Sequence, residues 1–177
     1  MCPRLEPDMS SPRNDSADTS DDPTMAEIMA AIELIYAGER DLARTRLEGI
    51  WSRMGRDPDA FHMCVLSHFM ADVQDDVRQE LAWDLRALSA ADRLSDVRVQ
   101  ELHPSLTVAG FLPSLHLNVA DAFFRSGDLG STGKHLGICV DLKTGLSDSP
   151  FDCLTRRGIE GLAMRLAMTC DDSVSSE

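Results

Sequence analysis

The stretch from Leu115 to Leu142 constrains the fold more than any other, because it carries two apolar stripes at helical spacing separated by Gly127-Asp128. In the first, Leu115, Val119, Ala122 and Phe123 recur on one face. In the second, Leu129, Gly133, Leu136 and Val140 do the same. Ala120 and Cys139 supply small residues where two such helices would meet. A tight turn at Gly127-Asp128 makes the stretch a helical hairpin. Neither stripe can be buried by the pair alone, so the hairpin must stack on similar neighbours. No reaction centre is visible within it.

The same spacing recurs upstream. Ile32 to Trp51 carries Gly38 at a turn, Leu34 and Ile35 before it, and Ala43, Leu47 and Ile50 after it. A third, weaker unit lies between, with Phe61 to Phe69 and Val77 to Leu85 flanking Asp72 and no glycine at the turn. These residues resemble the tetratricopeptide repeat family. Asn118-Val119-Ala120 matches its N-L-G element, Ala122-Phe123 its A-Y, Gly127-Asp128 its G-D turn, Leu136 a large apolar position and Cys139 the last small one. Thr132 stands in place of the usual alanine and His116 in place of a common tryptophan. The family period of about 34 residues carries Gly38 onto Asp72. The interval from Asp72 to Gly127 is longer by about twenty residues, which places an insertion at 93–112.

The resemblance covers about Met25 to Leu146. It implies an all-α protein, a right-handed stack of antiparallel helical hairpins with about seven helices, of the small bacterial kind with divergent repeats. The family brings no catalytic residue and implies protein–protein binding.

The helices can be bounded from local signals. Thr24 and Glu27 form a capping box for a helix Met25 to Ala37, followed by Asp41 to Met54. Asp59 caps a third helix bearing Phe61, Val65, Phe69 and Val73. The fourth, Asp76 to about Asp92, has an apolar face of Val77, Leu81, Leu85 and Leu88. Its far face is charged, with Arg78, Glu80, Asp84 and Arg86. Leu115 to Ser126, Leu129 to Lys143 and Asp152 to Met168 complete the set. Only Leu106-Thr107-Val108-Ala109 has a strand-like composition. The folded region is 24–169. An acidic arm, 1–23, and an acidic tail, 170–177, hold too few apolar residues to offset their ordering entropy and are expected to be flexible.

Charge excludes several functions. The net charge is −13, whereas nucleic acids and anionic membranes require clustered Lys and Arg. No apolar run approaches the ~18 residues of a spanning helix, and the acidic N-terminus does not read as a secretory signal. A cytoplasmic location is expected. Five cysteines without C-x-x-C spacing read as reduced thiols, three of them on apolar helix faces.

Cys64, His68 and Asp72 fall one helical turn apart and invite a metal reading. Their repeat positions are packing positions, however, and no second ligand cluster accompanies them, so neither a metal nor another cofactor is expected. His103, His116 and His135 are dispersed and read as packing residues. Gly127 to Lys134 lacks the preceding strand and the spacing of a phosphate loop.

The expected function is therefore a non-enzymatic protein- or peptide-binding module. Its groove candidates are exposed positions of the first helix of each pair: Glu33, His62, His68, Asn118 and Arg125. By the resemblance, Asn118 sits where the family often hydrogen-bonds a peptide backbone. The alternative is a helical cavity that binds or transforms a small molecule, with 93–112 as its lid and His103 or His116 as its polar group. A homo-dimer, as in repeat regions appended to bacterial signalling regulators, is a further reading.

Overall fold

A computed structural model of the protein describes residues 22–101, 104, 106–146 and 148–174, except for the side chains at 144, 151 and 170–174. Among the described residues the chain is all-α. Eight α-helices follow in order: α1 (Pro23–Tyr36), α2 (Arg40–Arg53), α3 (Ala60–Asp72), α4 (Val77–Ala91), α5 (Asp96–Gln100), α6 (Val108–Ser126), α7 (Leu129–Leu142) and α8 (Pro150–Val174). A 3-10 turn, Lys143–Gly145, follows α7. Consecutive helices pack as pairs, α1 on α2, α3 on α4 and α6 on α7, and α4 also packs extensively on α6.

The caps explain the boundaries. Asp22, rather than the expected Thr24, caps α1 by accepting from the Met25 amide, because Pro23 takes the first helical position with its φ already helical. Asp59 caps α3 as its sequence position predicts, accepting from the amides of Phe61 and His62. Asp76, Thr107 and Asp128 cap α4, α6 and α7.

Gly38 and Gly127 turn the outer hairpins at φ of 82° and 86°, a left-handed conformation that side chains disfavour. The middle hairpin has no such glycine. Its turn carbonyls at Val73 and Gln74 are instead satisfied by Arg44 and Arg40, which reach across from α2.

Three clusters form the core. The first joins Ile28, Ile32, Leu47, Ile50, Phe61, Leu66, Met70 and Val73 with Val99 of α5. The second packs Cys64 of α3 against Ala87, Ala90 and Ala91 of α4 and Leu115 of α6. The third holds Ala120, Leu136, Cys139, Ile159 and Leu162 where α6, α7 and α8 meet. Trp51 of α2 and Trp83 of α4 stack edge to face with centroids 5.0 Å apart, which ties the first hairpin to the second. Gly158 lets α8 close on α6, since a Cβ there would stand 2.6 Å from the Leu117 side chain.

Three expectations are corrected. The segment 93–112, expected as an insertion between repeats, contains α5 and the first turn of α6, and α6 begins at Val108 and runs through Pro113 rather than starting at Leu115. Pro113 itself is buried, and its carbonyl accepts from the Cys139 thiol at 3.5 Å. On α4 the buried face is Asp84, Ala87, Ala90 and Ala91, while Leu85 is exposed. Small residues there let α3 and α6 approach closely, and that contact outweighs the leucine stripe. The last helix continues past Met168 to Val174, so part of the expected tail is helical. The expectation of a flexible arm at 1–23 falls outside the described residues except for Asp22 and Pro23.

Candidate functional site

The polar side chains concentrate where α3, α4 and α6 meet. From α3 come His68 and Asp72, one turn apart. From α4 come Glu80 and Asp84, also one turn apart. From α6 come Asn118, Asp121 and Arg125. Three of the five groove candidates therefore share one seam: Asn118 Nδ2 lies 3.3 Å from His68 Nδ1, and Arg125 pairs with Glu80 of the neighbouring hairpin and with Asp121 at 2.7 Å. Arg165 of α8 also reaches Asp121. Glu80 and Asp121 each thereby have a cationic partner.

Asp84 has none. It is 2 % exposed, and neither carboxylate oxygen has a hydrogen-bond partner. Burial above all, then the charges of Glu80 and Asp72, push its carboxyl up to about 8. Asn118 and Arg125 pull the other way without completing a hydrogen bond. Asp84 is thus held as the neutral acid at neutral pH.

Asp72 is different. Its side chain is exposed, yet desolvation is the largest influence on its carboxyl and raises it, with Glu80 adding to the rise and His68 and Arg40 opposing it. His68 beside it is held below the usual imidazole range by burial, against the pull of Asp72. Its ring meets Phe69 edge to face at 4.9 Å.

The other candidates lie elsewhere. Glu33 is exposed on α1. His62 belongs to a separate cluster, where its Nε2 stands 2.7 Å from Asp22 Oδ2 and Arg98 binds both Asp59 oxygens at 3.0 and 3.1 Å. Arg98 also reaches Asp22 at 3.2 Å and lies over the Phe61 ring. A small cleft of about 200 Å³ opens beside His62, lined also by Thr24, Glu27 and Arg53. His103 falls outside the described residues.

The Cys64, His68, Asp72 row does not converge on one point. Cys64 points into the second core cluster, where burial pushes its thiol up to about 12, and among the described residues no three His, Cys, Asp or Glu side chains are placed to hold a metal. Cys64, Cys139 and Cys153 are free thiols.

Two features were not legible in the sequence. Asp84 reads as part of a solvated charged face, and only its alanine neighbours at positions 87 and 91 hint that this face is buried. His116 and His135 read as isolated, yet the α6–α7 hairpin brings their Nδ1 atoms to 3.0 Å. Among the described residues no helix is long and apolar enough to cross a membrane. No protein-family model, no curated protein and no solved structure matches the chain.

Proposed function

We propose that the chain is a non-enzymatic, cytoplasmic protein- or peptide-binding module built as a short, right-handed tetratricopeptide-like stack, with its partner lying along α1, α3 and α6. The observation that carries this reading is the exposed Asp72, one helical turn from His68, whose Nδ1 lies 3.3 Å from Asn118 Nδ2. The seam around it sets the carboxylates of Asp72, Glu80 and Asp121 against Arg125 and Arg165, in a chain of net charge −13. A surface of that sign selects a basic or neutral segment, with a Lys or Arg placed over Asp72. Asn118 then exchanges His68 for a backbone amide of the partner. The cleft beside His62, at about 200 Å³, is itself smaller than the ~300–1,000 Å³ of small-molecule sites.

A peptide library screened on the full chain tests the proposal. Lys- or Arg-containing peptides should be retained, and retention should weaken with salt. Asp72→Asn and Asn118→Ala should each reduce it several-fold while the thermal transition stays in place. Failure of every peptide to enrich, or unchanged capture by both variants, rejects the reading.

A further inference from the structure

A second cluster lies outside this seam, on the α6–α7 hairpin. His116 and His135 face each other with Nδ1 atoms 3.0 Å apart, ring centroids 5.3 Å apart and ring planes tilted by 36°. Their placement is held by the fold. Leu115 and Leu136, the chain neighbours of the two histidines, are both buried. The His135 ring also stacks on Phe123 at 5.7 Å and 27°, so it is held on its face as well as through its backbone.

Two ring nitrogens at that separation cannot both carry a proton. In the free protein one Nδ1–H donates to the other ring's lone pair. Both rings are pushed toward neutrality. His116 is lowered by burial and then by His135, against Asp92. His135 is lowered by burial and then by Lys134.

Neutral imidazoles are ligands for zinc, copper and nickel. Zinc bonds nitrogen at about 2.0–2.1 Å, which at a tetrahedral angle sets two ligand nitrogens roughly 3.3 Å apart. The observed 3.0 Å needs only a few tenths of an ångström of opening. When the donating ring shifts its proton to Nε2, both Nδ1 lone pairs become free and no net proton is released.

We propose that His116 and His135 together bind one divalent first-row transition-metal ion through Nδ1, with water completing its coordination. No third His, Cys, Asp or Glu among the described residues joins them. The site is therefore open and exchangeable rather than a closed structural centre, and it stands independently of the partner-binding reading. Both rings are only partly buried, which leaves a path for the ion and its waters.

The test is calorimetric titration of the chelator-stripped full chain with zinc or nickel at neutral pH, followed by electron paramagnetic resonance of the copper-loaded protein. One ion per chain should bind. His116→Gln and His135→Gln should each weaken binding by roughly tenfold or more, whereas His62→Gln should leave it unchanged. The copper spectrum should carry hyperfine structure from two imidazole nitrogens. Absence of uptake, equal uptake by both folded Gln variants, or a copper spectrum without two nitrogens overturns the assignment. The wild-type spectrum decides the matter even if a variant fails to fold.

Discussion

Arg44 of α2 donates through Nε to the backbone carbonyl of Val73, the C-terminal cap of α3, at 2.8 Å. The contact supplies from the preceding hairpin what a left-handed glycine supplies in the other two. It also makes the middle turn dependent on its neighbour, since Arg40 and Asp75 complete the same cluster.

Arg44→Ala should therefore lower stability by about 1–2 kcal/mol, the value of a charged hydrogen bond with part of the loss recovered by water. Arg46→Ala, at an exposed position on the same helix, should stay within about 0.5 kcal/mol. Urea denaturation of the three proteins measures the difference. Equal midpoints would show that the turn stands without Arg44.

Asp84→Asn should stabilise the protein at neutral and alkaline pH. The folded carboxyl is raised to about 8, far above the roughly 3.9 of an unfolded chain. Between those values the folded state holds a proton that the unfolded state has lost. Stability from this group is therefore greatest in acid and falls as pH rises toward 8. The amide cannot ionise, so the variant's advantage should grow from near zero at pH 4 to a few kcal/mol at pH 8, on the order set by linkage. Thermal melts of both proteins across that range would test this. A constant difference would mean that Asp84 is ionised in the fold.

Leu47→Ala and Leu136→Ala should each cost about 2–5 kcal/mol, because both side chains are buried at hairpin seams. Leu81→Ala should cost less, since Leu81 is only half-buried whereas Ala87 on the same helix is fully buried. Ala87→Leu should overpack that position by about 1–3 kcal/mol. Denaturant midpoints rank the four variants, and a larger loss at Leu81 than at Leu47 would reverse the assignment of the seam.

Arg98→Ala should loosen α5 selectively. Arg98 joins Asp22 and Asp59, the caps of α1 and α3, so its loss detaches a strap rather than a surface charge. Amide exchange within 96–100 should accelerate while α7 and α8 keep their protection. Uniform exchange across the chain would place Arg98 in the global core instead.

Read along its length, the chain announces its helices through features that act locally. Gly38 and Gly127 mark turns because a left-handed residue is costly for any side chain, and Asp59 caps α3 because a carboxylate finds the free amides of the residues just after it. The three hairpins follow from apolar residues at helical spacing, of which Leu47, Val119 and Leu136 are buried as their spacing requires. Such signals need only a few neighbouring residues, so the sequence alone determined the helical class and the pairing of consecutive helices.

What the tertiary structure decided depends on residues distant in sequence. Which face of α4 is buried rests on how closely α3 and α6 approach it, and that contact chose Asp84 and the alanines over Leu85. Segment 93–112 became α5 and the start of α6 because Val99 and Arg98 find partners on α1 and α3. The meeting of His68 with Asn118, and of His116 with His135, required helices to dock first. Burial, charge pairing and proton affinity are properties of those encounters, and spacing along one helix does not contain them.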